Sequence, residues 1–329
     1  MKYWGQSDYQ VIITDGNSVK NSGEFPSNVS YMHYPDLDNV ERWKMALEKV
    51  ETPYVCFCPD DDFHGFNALK RCVSFLNENM DYSSVQGRYL GYTANINKAY
   101  KIVYDNTFSY HVKSNVMAER IIEAVTPYMI NLWAVHRSSN LKSGFIGLES
   151  INGRMLELHF TLIAAIYGKL KVLPFFYSLR EIAPISWGKT EPSITTWMSD
   201  NNGKNEFEAW KVQITNLISD TQSLPHKDSL SIVENFLASY IEYIIFRNRN
   251  NQSVRYSILN AAKIALRFML PRQFINKMKA AMGKDLPVNE YTIDELFSRE
   301  SAIGILNRQN YDLDNPATQY DWSMIQKVI

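Results

Sequence analysis

The sequence predicts an α/β fold: a mixed sheet flanked by helices, followed by an α-helical C-terminal region. Three observations carry that expectation. Apolar, β-branched segments alternate closely with helical ones from Tyr9 to Pro174, which favours a sheet with parallel strands and ligands beyond their carboxyl ends. The apolar run Tyr54–Cys58 leads through Pro59 into three consecutive carboxylates, Asp60, Asp61 and Asp62. From about Asn205 the apolar spacing becomes helical.

Taken in order, Tyr9–Ser18 is an apolar strand running into Asp15-Gly16-Asn17-Ser18, residues that suit a tight turn. Asp15 therefore lies at a strand end, as a turn cap or as a ligand. Val29–Tyr34 reads as a short strand, and Asp38 or Asn39 can cap a helix reaching Lys49. Tyr54–Cys58 reads as a strand buried on both faces. Leu69–Asn77 suits a helix with Lys70 and Arg71 wet and Leu69, Val73 and Leu76 dry. Ser84–Tyr92 is expected as a strand and Met117–Val125 as a short helix closed by Thr126-Pro127. Between them Thr93–Ser114 is polar and aromatic with weak periodicity, suited to a flap over a substrate. Tyr128–Val135 is expected as a strand, with Ser138 capping the helical turn after it. Leu156–Tyr167 reads as a helix stopped by Gly168, and Lys171–Pro174 as a final strand. Glu157 falls in the first turn of that helix, where the helix dipole favours a carboxylate.

With 329 residues and 45% hydrophobic composition, the chain can bury a substantial core in one large domain or two ordinary ones. A formal net charge of −1 gives no overall pull toward nucleic acid. Cys56, Cys58 and Cys72 are an odd count; the first two lie on one side of a strand, where a bridge would be strained. They read as reduced core thiols of a cytoplasmic protein. No secretory signal follows Met1, and no stretch reaches the ~18 uninterrupted apolar residues of a membrane span.

Aspartate side chains are short and costly to crowd, so three in a row at the mouth of a sheet invite a divalent cation with oxygen ligands. Such a cation could clamp a diphosphate. A solvated acidic turn is the alternative. Arg180-Glu181 fits either a phosphate contact through the guanidinium fork or a structural ion pair. The six histidines share no metal-ligand spacing, with His64 and His159 nearest the acidic residues in this arrangement. Trp187 and Trp197 bracket a Gly/Thr/Pro/Ser-rich segment and suit either sugar faces or core filling.

Val11–Ser18, Asp60-Asp61-Asp62-Phe63, Gln86-Gly87-Arg88-Tyr89, Ala134-Val135-His136-Arg137, Leu141, Gly144-Phe145, Glu157 and Gly168–Pro174 occur in a set order. On these residues the chain resembles the GT-A glycosyltransferases, in particular the family-2-like enzymes of bacterial surface-polysaccharide synthesis, over residues 9–185. The resemblance implies a Rossmann-like catalytic domain over residues 1–200 and a helical region over 201–329. It implies Mn2+ or Mg2+ held by Asp60 and Asp62, with Asp62 the chief ligand. Asp60 or Asp61 would face the ribose or the metal, and Asp15 would hold the base or ribose of a nucleotide-diphosphate sugar. Glu157 would take the proton from the hydroxyl of a glycan acceptor, which the resemblance implies is linked to lipid. Two departures stand out. The chain begins inside the helix that should follow the family's first strand, and the family's acidic pair is reduced to Met155-Leu156-Glu157. A non-catalytic glycan-binding or scaffold module of the same fold is the alternative. A nucleotidyltransferase would need an early glycine-rich phosphate loop, and none is present.

Between Arg247 and Lys284 nine basic residues and no acidic ones mix with large apolar residues such as Ile258, Leu266, Phe268 and Phe274. That mixture suits contact with an anionic membrane surface, placing the protein peripherally on the inner face of the cell membrane, or an ordinary helix pair with a basic face. It matches no nucleic-acid motif. Residues 291–329, acidic and aromatic, read as a capping segment.

Overall fold

A computed structural model gives the fold and describes residues 3–94, 100–105, 111–181, 192, 194–197, 199–249, 291–292 and 316–326. It is a mixed sheet between helical layers, accompanied by a separate two-stranded parallel sheet of β1 (Val11–Asp15) and β2 (Val29–His33). Helix α1 (Asn39–Lys49) follows. Its start is locally encoded: Asp38 Oδ1 accepts from the Glu41 amide at 2.9 Å, and Glu41 Oε2 accepts from the Asp38 amide at 3.2 Å. This reciprocal pair satisfies donors that the first helical turn leaves open.

Two strands of thirteen residues each, β5 (Tyr82–Ala94) and β9 (Lys169–Glu181), run parallel and form the spine of the large sheet. Short strands flank them. On the outer side of β5 lie β8 (Val135–Arg137), with β3 (Tyr54–Cys56) beyond it, and β6 (Tyr100–Asp105), with β10 (Tyr291–Thr292) beyond it. On the outer side of β9 lie β7 (His111–Val112) and β4 (Phe63–His64). All these flanking pairs are antiparallel. The spine register shifts near Gly87, where an added Cβ would come within 2.7 Å of the Phe175 carbonyl oxygen. Glycine there permits the close approach of the two backbones.

Helix α2 (Phe66–Glu78) covers one face, packing Ala68, Leu69, Cys72 and Leu76 with Val85, Val135, Phe175 and Tyr177. On the other face α5 (Gly153–Tyr167), almost wholly buried, shares a larger core with α3 (Met117–Glu123) and α4 (Ser138–Phe145). After a helical turn α6 (Ile194–Trp197) come α7 (Asn201–Gln222) and α8 (His226–Arg249). Phe207, Trp210, Ile214, Val233 and Phe236 of these helices belong to the same core as α5. A last helix, α9 (Pro316–Gln326), packs on α2.

Several expectations are corrected. β3 spans three residues, is half-buried and forms the sheet's edge; it is not a strand buried on both faces. Residues 129–134 are irregular, and the strand expected over 128–135 is displaced to 135–137. Ser138 is the first residue of α4, not its cap. The spine strands outrun their predicted lengths because each is paired on both sides. The region after residue 200 shares the main core and supplies β10, so it is more than a helical appendage. Part of the expected flap forms β6 and β7.

Candidate active site

The parallel spine strands end side by side, with Gly91 opposite Arg180 and Tyr92 opposite Glu181. Ligands of α/β sheets are met at such ends. The acidic run arrives at the same place because β4 pairs with the end of β9, Phe63 opposite Leu179 and His64 opposite Ser178. Asp62, one residue before β4, is thereby set beside Arg180.

Asp62 is buried, at 4% exposure. Its Oδ2 accepts from Arg180 Nε at 3.1 Å and its Oδ1 from the Glu181 amide at 3.0 Å. Burial pushes its carboxyl up to about 6 although Arg180 pulls the other way. The guanidinium carbon of Arg180 lies 5.2 Å from the Tyr89 ring centroid and 5.3 Å from that of Trp133, within cation–π range. Burial alone would lower the Arg180 pKa; Asp62, Tyr89 and Glu157 more than offset it and hold it above the usual arginine value. Glu157, on α5, lies near enough to Arg180 for their charges to influence each other. Burial raises the Glu157 pKa, with Arg180 and then Arg154 opposing. Asp61 is half-buried and its carboxyl is raised by burial and by the neighbouring Asp60 charge. Asp60 is exposed.

Arg180 thus pairs directly with Asp62 and acts electrostatically on Asp61 and Glu157. Glu157 is the fifth residue of α5, which begins at Gly153 with Asn152 as its cap, so it lies in the second turn and not the first. Asp15 is not brought into this group. It ends β1 in the separate sheet, where its Oδ2 accepts from Tyr31 Oη at 2.5 Å and its Oδ1 from the Asn17 amide at 2.9 Å. The Tyr31 hydrogen bond, then that of Asn17, lowers its pKa.

His64 is buried with Nε2 3.1 Å from the Phe57 carbonyl oxygen, and burial lowers its pKa to about 4, so its ring is neutral. A carbonyl only accepts, which puts the ring proton on Nε2. His159 is likewise buried; its Nδ1 accepts from Trp210 Nε1 at 3.2 Å. Trp197 is a core residue whose Nε1 donates to Glu206. Cys56, Cys58 and Cys72 are free thiols. Trp187 lies outside the described residues, as do the side chains of the basic span 247–284.

Asp62 does not fit the part of chief metal ligand. Both of its oxygens already accept hydrogen bonds, and the position of a cation beside it is taken by a guanidinium. Among the described residues no three His, Cys, Asp or Glu side chains converge so as to hold a metal ion. Asp60 and Asp61 do fit a smaller role. Mg2+ and similar cations need only one or two protein carboxylates when substrate phosphates and water complete the shell. A groove of about 520 Å³ lined by Ala118, Glu119, Ile122, Ile232 and Asn235 shares no residue with this site.

The sequence pointed to Arg180 without giving its partner. The available signal was an arginine ending an apolar strand, since a buried charge is usually paired or hydrogen-bonded. Trp133 carried no such signal.

No protein-family model and no curated protein matches the chain. Among solved structures it is similar to S. aureus TarS, at 15% identity and a TM-score of 0.46, covering 96% of this chain and 50% of that one. A structure of S. aureus TarS residues 1–349 is similar at 16% identity and a TM-score of 0.39, covering 81% of this chain and 82% of that one. The chain spans half the length of the first of these. No helix of the described residues is long and apolar enough to cross a membrane.

Proposed function

We propose that the protein is a glycosyltransferase that moves a sugar from a nucleotide-diphosphate donor to a bacterial cell-surface glycan, presented on a lipid. The observation that carries this reading is the Arg180 guanidinium at the ends of parallel β5 and β9, set between the acidic turn and Glu157. A donor diphosphate requires fixed positive charge, and an acceptor hydroxyl requires a base. Both are within one cluster.

In this mechanism Glu157 takes the proton of the acceptor hydroxyl. The hydroxyl oxygen bonds to the anomeric carbon while the bond from that carbon to the diphosphate oxygen breaks, and the nucleoside diphosphate leaves with the electron pair. A carboxylate whose pKa is raised is the stronger base for this transfer. Among the described residues only Nε of the Arg180 fork is engaged, which leaves its terminal nitrogens to meet the diphosphate. Tyr89 and Trp133 bound the guanidinium and limit its movement. Asp60 and Asp61 would hold Mn2+ or Mg2+, whose contribution is neutralisation of charge on the leaving group. The basic span 247–284 holds the enzyme against an anionic membrane; reversal of Lys277 and Lys279 should abolish its sedimentation with anionic vesicles.

Calorimetry with UDP, GDP and CDP, with and without Mn2+, tests the reading. One nucleotide should bind more tightly with Mn2+, and the metal effect should vanish in the Asp60→Asn/Asp61→Asn variant. Binding of no nucleoside diphosphate under either condition overturns the enzyme and favours a glycan-binding module.

A further inference from the structure

The helix that follows the acidic run has no cap of its own. Gly65 occupies the N-cap position of α2 and offers no side chain. The second and third helical amides must find acceptors elsewhere. They find them 253 residues and more along the chain, in α9: Asp321 Oδ1 accepts from the Asn67 amide and Oδ2 from the Ala68 amide, each at 3.0 Å. The Asn67 side chain adds bonds to Asp321 Oδ1 at 3.3 Å and to the Ala317 carbonyl at 3.4 Å. Asp321 is buried, at 1% exposure. Among the described side chains of α9, Thr318, Asp321, Met324 and Ile325 are buried and recur at helical spacing, so one face of the helix is docked.

The fit is close. A Cβ on Gly65 would approach Asp321 Oδ2 to 2.5 Å, which explains a glycine at a position whose extended backbone any residue can adopt. The N-terminal segment grips the same junction: Tyr3 Oη donates to the His64 carbonyl at 2.7 Å and Tyr9 Oη to the Phe66 carbonyl at 2.8 Å. Only Phe63 and His64, the two residues of β4, separate this junction from Asp62. A two-residue strand cannot hold its own position, so the acidic run is fixed by what grips it at either end.

We propose that Asp321 is a positioning residue: by capping α2 from the far end of the chain, it holds β4 in register with β9 and keeps Asp62 against Arg180. Its importance to sugar transfer rests on the function proposed above, whereas the coupling from α9 to Asp62 does not.

The Glu181 amide, which donates to Asp62 Oδ1, reports that coupling without any ligand. Hydrogen exchange on the full chain should show this amide exchanging about tenfold faster in Asp321→Ala. Asp321→Asn, which keeps one acceptor oxygen, should restore part of the protection. Gly65→Ala leaves the carboxylate in place and displaces α9 only through the close approach, so it should expose the same amide and carries the test if Asp321→Ala does not fold. The proposal is overturned if amides of α2 and α9 exchange faster while that of Glu181 keeps its wild-type rate, since α9 would then be a strap for α2 alone. Failure of nucleotide binding in the wild-type protein would remove the sugar-transfer reading and leave the exchange result standing.

Discussion

Replacing Asp62 by asparagine probes the site most directly, because it separates an ion-pair partner from a metal ligand. Breaking a buried pair by removing one charge costs ~3–5 kcal/mol, since the other charge stays uncompensated. Arg180 would keep its contacts with Tyr89 and Trp133, at 5.2 and 5.3 Å, worth ~0.5–1 kcal/mol each where partly exposed and more where dry. These contacts exist before and after the change, so they soften the loss only if the guanidinium moves closer to the rings. An asparagine oxygen can still accept the Glu181 amide. A net loss of about 2–4 kcal/mol follows. The assay is urea unfolding of wild type, Asp62→Asn, Arg180→Met and the double variant. The double variant should be more stable than the sum of single losses predicts, by on the order of 2–3 kcal/mol. Burial raises the folded Asp62 carboxyl to about 6, so the desolvation cost of the ionised form offsets part of the pair's gain, and the unfolding comparison is made above about pH 7, where the carboxylate is ionised. A single-variant loss below ~1 kcal/mol with no coupling to Arg180 would refute the ion-pair account and return Asp62 to the metal.

Glu157→Gln should lower transfer by 10²–10⁴-fold, roughly the range of general-base removal, without loss of fold by circular dichroism. Because burial raises the Glu157 pKa, wild-type activity should rise with pH along a limb whose midpoint lies above 4.5. Asp38→Ala removes one half of the reciprocal cap on α1 and should cost ~1 kcal/mol in urea unfolding. Gly144→Ala should cost ~1–3 kcal/mol, because the new Cβ would meet Ile163 Cγ1 at 2.6 Å in the core between α4 and α5. Tyr31→Phe should raise the titration midpoint of Asp15, followed by NMR, since the lost hydrogen bond is the main influence holding it down.

What the sequence made legible was local. Asp38 was one of two candidate caps, and α1 runs from Asn39 to Lys49 behind it as expected. Gly168 stops α5 at its expected end. β1, β2 and the helices α2 and α3 were placed within a few residues, since their apolar periodicity is set by immediate neighbours. The acidic run was legible as a cluster of carboxylates, but the partner of Asp62 was not. Asp62 and Arg180 are 118 residues apart and meet only because β4 lies beside the end of β9. The apolar run after Tyr54 was misread for a related reason. Composition marks a segment as strand-forming, yet whether it lies at the centre or edge of a sheet is decided by which distant strands pair with it. Glu157 was misplaced by one turn because α5 starts at Gly153, a residue with poor intrinsic helix preference that the Asn152 cap and tertiary packing outweigh.

The contacts of Asp321 also bear on how the molecule is made. A ribosome delivers the chain from one end, and the spine strands are complete once Glu181 has emerged. The α2 amides must then wait for an acceptor that appears only after another 140 residues or so, a delay of about ten seconds or more at ordinary elongation rates. During synthesis the acidic turn is therefore held by β9 and by Tyr3 and Tyr9 without Asp321, and a nascent chain already carrying both spine strands has yet to acquire the finished geometry around Arg180.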